Sequence, residues 1–187
     1  YQITSIPPQD IYAYQHGIET GRNDRSFAIP PYVPINYFVW GAPWKRSFER
    51  KAHAEASIYA VGSPRLDRMF RRHREVDPTY DVLFISGSHV LDAEYLDARA
   101  YRELVETVVE FAEEREWSLK IKLHPIETPK RYEEWGYEAY VTPESDLEAL
   151  LTNAAVAVTD FSSAFIESVI MGTPVVVAQQ SLDMGLD

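Results

Sequence analysis

The sequence predicts an α/β fold: a parallel sheet with helices on both faces, preceded by part of a second α/β domain. Two observations carry this. From residue 81 onward, short apolar runs alternate with amphipathic stretches of helical period, the pattern of parallel strands joined by crossover helices. The first 67 residues read differently, with Pro7, Pro8, Pro30, Pro31 and Pro34, many aromatics and only short strand-like runs. The expected organisation is therefore residues 1–67 as the last portion of a preceding domain, 68–80 as an arginine-rich linker ending near Asp77-Pro78, and 81–187 as the sheet domain.

In the first portion, residues 11–14 and 37–40 have strand character. In the sheet domain, Val82-Leu83-Phe84-Ile85 is a buried strand that breaks at Ser86-Gly87-Ser88. Between residues 98 and 116 the apolar Tyr101, Leu104, Val105, Val108, Phe111 and Ala112 recur at three- and four-residue steps, which predicts an amphipathic helix with a Glu- and Arg-rich outer face. Leu119-Lys120-Ile121-Lys122-Leu123 alternates with period two and stops at His124-Pro125, because proline cannot donate to a ladder. A weaker strand is expected near 138–141, followed by a capping box, Ser145-Asp146-Leu147-Glu148, opening a short helix to about Thr152. Val156-Ala157-Val158-Thr159 is the next strand. Asp160-Phe161-Ser162-Ser163 then leads into a helix through Met171, closed by Gly172 and Pro174, and residues 175–178 return to the sheet.

Composition bounds the function. The 187 residues include no cysteine, which excludes disulfides, thiolate zinc sites and a cysteine nucleophile and agrees with a reducing compartment. No apolar run is long enough for a membrane span and no basic-then-apolar leader opens the chain, so a cytoplasmic location is expected. The formal net charge of −11 argues against broad electrostatic binding to nucleic acid or anionic lipid, so an anionic ligand needs a local exception. The chain opens on Tyr1-Gln2-Ile3 and stops at Leu186-Asp187 soon after an apolar strand, and is expected to be a fragment.

In open parallel sheets ligands bind outside the carboxyl ends of the strands, and three polar elements fall there: Ser86-Gly87-Ser88, His124 and Ser162-Ser163. The last pair precedes a helix, whose amides and dipole favour a phosphate. Each has a plainer reading as a turn, a strand stop and a cap. Their convergence on one edge of a Rossmann-type sheet favours a binding site. Asp160 reads equally as a loop acceptor or a helix-entry residue. Trp40 and Trp44 are candidates to stack on a sugar or base, although core packing is the commoner fate. No paired-aspartate motif and no clustered His and carboxylate spacing calls for a metal, and no cofactor is expected.

Taken in order, Tyr14-Gln15-His16-Gly17, Val61-Gly62-Ser63-Pro64-Arg65-Leu66-Asp67, Lys122-Leu123-His124-Pro125 and residues 159–167 closing on Gly172-Thr173-Pro174 resemble the CDP-glycerol glycerophosphotransferases of teichoic acid synthesis. The His-Pro and paired-serine elements are shared with bacterial polysialyltransferases and with capsule or lipopolysaccharide transferases. The resemblance implies a metal-independent, two-domain (GT-B-like) transferase that moves a glycerol-phosphate or glycosyl unit from a nucleotide-activated donor (CDP-, CMP- or UDP-linked) to a polymer or lipid-linked acceptor. Residues 81–187 would bind the donor, the first portion would lie on the acceptor side, and segments outside this chain leave room for peripheral attachment at the inner face of the membrane. It further implies His16 as the catalytic base across the cleft and His124 with Ser162 and Ser163 around the donor phosphates, while Glu167 stands where related nucleotide-sugar epimerases carry a glutamate that binds the ribose hydroxyls. Where the family commonly continues past the first histidine with Thr-Pro-Leu-Lys, this chain has Ile18-Glu19-Thr20-Gly21, and His16 has a second reading as a buried structural histidine. The rival readings are a UDP-sugar 2-epimerase-like enzyme, expected to carry paired glycines where Ser162-Ser163 stand, and a non-catalytic nucleotide-binding module.

Overall fold

The computed structural model describes residues 11–15, 35–50, 52, 54–72, 76–87, 98–160 and 162–178. The chain divides into two compact units, one ending at Asp67 and one running from Arg68 to Leu186.

In the first unit, β1 (Tyr12–Tyr14), β2 (Asn36–Val39) and β3 (Ser57–Ala60) form a parallel sheet in that order, with α1 (Ala42–Glu49) between β2 and β3. Neither α1 nor β3 was expected from the sequence. The helix opens with Pro43 near its start, where a missing N–H costs nothing. Its Phe48 packs with Ile35, Tyr37, Val39 and Ile58 into the core of this unit. Trp40 belongs to the packing: its backbone N–H donates to Gln15 Oε1 (2.9 Å), its indole N–H donates to the Gln15 carbonyl (3.0 Å), and its ring meets Trp44 edge-on. A further helix, α2 (Pro64–Arg72), follows β3, and its residues from Arg68 onward belong to the second unit.

The second unit holds the expected Rossmann-like sheet. Its strands β4 (Tyr80–Ile85), β5 (Leu119–Lys122), β6 (Ala154–Thr159) and β7 (Val175–Val177) are all parallel, in the order β5-β4-β6-β7. The connection from β4 to β5 carries α3 (Ala98–Glu114), whose buried Tyr101, Leu104, Val105, Val109 and Ala112 pack on Val82, Phe84 and Ile121. Alternation puts Leu83 and Ile85 on the other face of β4, and both are buried too, so this strand is covered on both sides. α4 (Lys130–Trp135) adds the buried Tyr132, α5 (Leu147–Thr152) precedes β6, and α6 (Ala164–Ile170) joins β6 to β7.

Three local expectations are corrected. Residues 138–141 are a 3-10 turn (Glu138–Tyr140) followed by a single bridge from Val141 to Ile121, not a strand. Gly136 ends α4 in a left-handed conformation (φ 81°), and Tyr140 is held back on α3 by donating to Glu113 Oε1, which leaves no length for a ladder. The cap of α5 is Asp146 rather than Ser145: its Oδ1 accepts from the Glu148 and Ala149 amides, and a carboxylate answers the helix dipole better than a hydroxyl. α3 ends at Glu114 rather than 116, with Glu116 at φ 54°, and Phe111 faces solvent under the Arg115 guanidinium, 3.5 Å from its ring centroid.

Candidate functional site

The strand order decides where a ligand has room. From β4 the chain moves outward to β5, and from β6 it moves the other way to β7, so the topological switch lies between the adjacent strands β4 and β6. Helices diverge at such a point and leave a crevice beyond the carboxyl ends. Ile85 is in register with both Lys122 and Thr159, so Ser86, Leu123 and Asp160 follow in one row, with strands about 4.8 Å apart. The row is tied across by Ser86 N–H to the Lys122 carbonyl (2.9 Å), Thr159 Oγ1 to the Ile85 carbonyl (3.3 Å) and Ala178 N–H to the Thr159 carbonyl (2.8 Å). The described candidates Ser86, Gly87, His124, Asp160, Ser162 and Ser163 thus share one sheet edge. His16 and Ser88 lie outside the described residues.

At the end of β4, Ser86 is buried beneath two tyrosines. Tyr132 donates to Ser86 Oγ (2.9 Å), Ser86 Oγ lies 3.2 Å from Tyr101 Oη, and the two phenols are 3.3 Å apart. The three hydroxyls can close a ring in which each donates once, and Tyr101 Oη also accepts the Gly87 amide at 3.0 Å. Burial, and next the neighbouring Tyr132, hold the Tyr101 phenol well above the ordinary tyrosine range, so it stays protonated. Ser86 and Gly87 are therefore engaged with the core, and nothing in the sequence pairs them with Tyr101 and Tyr132.

At the end of β5 a tight turn orients His124. Its carbonyl accepts the Glu127 amide (2.9 Å), its own N–H donates to Glu127 Oε2 (3.0 Å), and Nδ1 accepts the Ile126 amide (3.4 Å). Pro125 supplies the fixed φ such a turn uses. A ring that accepts at Nδ1 carries its proton on Nε2 when neutral, which makes Nε2–H the donor. Lys122 was not singled out from the sequence. It is 8% exposed, and its ammonium donates to the Leu123 carbonyl at 2.7 Å, which puts a cation at the same edge. The available signal was a lysine two residues before His-Pro, in a strand whose alternation reads as half-solvated.

At the end of β6, Asp160 is buried and Ser162 Oγ accepts the Ala164 amide at 3.2 Å. Ser163 occupies the cap position of α6 in a helical conformation (φ −65°, ψ −9°), and its hydroxyl makes no capping hydrogen bond. Only one of the paired serines follows the capping reading. Glu167 is buried within α6, one turn beyond Ser163. Among the described residues no three His, Asp or Glu side chains cluster so as to hold a metal ion, and no helix is long and apolar enough to cross a membrane.

A comparison with curated proteins finds no match. Residues 93–184, just under half of the chain, match the family described as CDP-Glycerol:Poly(glycerophosphate) glycerophosphotransferase, and over that segment, which contains α3, β5, β6 and α6, the chain is similar to those transferases.

Proposed function

We propose that this chain is the donor-binding part of a transferase that moves glycerol phosphate from CDP-glycerol to a polymer acceptor, with residues 81–187 holding the donor, residues 1–67 on the acceptor side and 68–80 between them. The observation that carries the reading is that the segment similar to the glycerophosphotransferases also supplies the carboxyl ends of β5 and β6, with His124, Ser162 and Ser163. In the proposed step an acceptor hydroxyl oxygen bonds to the glycerol-bearing phosphorus. The bond from that phosphorus to the bridging oxygen breaks, CMP leaves with the electron pair, and the hydroxyl proton passes to a base, for which His16 is the candidate. A histidine suits this near neutral pH without much tuning.

Each edge residue has a part in this reading. His124 Nε2–H and the Ser163 hydroxyl donate to the diphosphate, Ser162 shapes the loop, and Lys122 contributes positive charge. Preorganised donors of this kind stabilise the charge that develops on a departing nucleotide. Glu167 is assigned to the ribose hydroxyls and Asp160 to the loop that carries the serines. Ser86 and Gly87 act by holding the crevice wall rather than by direct contact, because their polar groups already serve the tyrosine ring.

The test is calorimetric titration of the chain with CDP-glycerol, CMP and UDP. His124→Ala is expected to weaken CDP-glycerol binding by about 1–3 kcal/mol, the scale of charge-assisted hydrogen bonds. Binding unchanged by both His124→Ala and Ser163→Ala would place the donor elsewhere. Protein that binds CDP-glycerol but transfers nothing, with His16→Ala matching the parent, would leave only a binding module.

A further inference from the structure

The net charge of −11 demands a local exception wherever a polyanion is to bind, and α2 is one. Within Pro64–Arg72 the residues Arg65, Arg68, Arg71 and Arg72 are all exposed. At about 100° per residue these four fall within roughly a third of the helix circumference. Neighbours three or four apart have Cβ atoms about 5–6 Å from one another, and the row runs about 10 Å along the axis. Guanidinium groups keep their charge at any working pH and meet phosphate oxygens with two parallel donors. Acids compete for this face: among the described residues Asp67 sits on the helix beside it, and Glu148 Oε2 lies 4.0 Å from Arg72 Nη1, with the arginine side chain 66% exposed. An exposed pair of that kind is weak enough for an incoming phosphate to displace.

The other face of α2 separates a polymer from a membrane as the occupant. Met69 is fully buried and Leu66 half-buried, so most of the apolar side is spent on the protein, and Phe70, 69% exposed, is the one large apolar side chain of the helix left outward. A helix that lies in a bilayer surface needs that side for lipid. A charge row accompanied by a single outward ring, with Met69 and Leu66 committed inward, suits a soluble chain of regularly spaced phosphates, held mainly by counterion release.

We propose that the arginine face of α2 binds a phosphodiester-linked polyanion, the growing acceptor polymer, an assignment that rests on the transferase reading above. The experiment measures binding of lipid-free poly(glycerol phosphate) of defined length to this chain across a salt series, with thermal shift by CDP-glycerol run in parallel. Arg68→Gln/Arg71→Gln is expected to weaken polymer binding by about tenfold or more and to make its salt dependence shallower, because fewer counterions are released. The CDP-glycerol response should not change. Polymer affinity that is the same in the variant, or absent in the parent, overturns the proposal. So does arginine-dependent binding to phosphatidylglycerol vesicles without binding to the polymer. A parent chain that ignores CDP-glycerol yet binds the polymer through these arginines supports the polymer site and overturns only the transferase reading.

Discussion

The ends of β4 and β6 are adjacent and parallel, and serine follows each, Ser86 directly and Ser163 four residues on, yet the two serines are put to opposite uses. Ser86 is sealed under Tyr101 and Tyr132, and the Gly87 amide is turned inward with it. Ser163 sits half-buried at the start of α6 with its hydroxyl excluded from the cap. The neighbours cause the difference. α3 and α4 bring two phenols over β4, whereas β6 runs straight into its own helix after a short loop. The β4 end is held by a ring of hydroxyls, and the β6 end carries a serine hydroxyl that makes no capping bond.

Four experiments sharpen or break that contrast. The largest effect is expected from Tyr101→Ala, which opens a cavity and orphans Ser86 and the Gly87 amide. It should cost about 3–5 kcal/mol in urea unfolding, against about 1–3 for Tyr101→Phe, which removes only the hydroxyl. If both variants unfold like the parent, Ser86 is not part of a wall.

The same ring predicts an alkaline limit. The Tyr101 pKa is raised in the folded state, so its contribution is complete below the ordinary tyrosine value near 10 and is lost as the pH climbs above it. Denaturation midpoints taken between pH 9 and about 11 should fall less steeply in Tyr101→Phe than in the parent.

On the β6 side, Ser162→Ala should destabilise by about 0.5–1 kcal/mol, since it removes the acceptor of the Ala164 amide, while Ser163→Ala should change stability hardly at all. Donor titration should show the reverse order, with Ser163→Ala the more damaging. Equal effects in both assays would erase the distinction between cap and ligand.

The smallest effect lies at the opposite end of the sheet. Asp81 accepts from the Ser118 hydroxyl (2.7 Å) and amide (2.8 Å), and these bonds, the hydroxyl first, hold its carboxyl below the usual range. A depressed folded pKa contributes stability above the ordinary carboxylate value and loses it as the pH falls through the lowered one. Asp81→Asn should slightly flatten the acid limb of the stability profile and leave donor binding untouched, because that end of the strands is remote from the site.

The sheet domain was legible in the sequence because β4, β6 and β7 are largely apolar runs, β5 alternates with period two and α3 has an unbroken helical period. The first unit was less so. α1 and β3 are short, and their residues become apolar faces only when Phe48 and Ile58 meet across the fold. The shifts at Asp146 and at residues 138–141 have a similar origin, since a cap or a turn is chosen by one or two hydrogen bonds that compete closely.

For the candidate site, local sequence determined which residues end strands, and therefore that His124, Asp160, Ser162 and Ser163 lie at a carboxyl edge. Period and breaker residues act over a few positions, and a strand's direction follows from its crossover helix. Only the tertiary structure decided that β4 lies between β5 and β6, that the topological switch falls between β4 and β6, that Ser86 is captured by tyrosines 15 and 46 residues away, and that Lys122 is buried. Those outcomes depend on long-range pairing and on which side chains fill the space above a strand, and no local pattern encodes either.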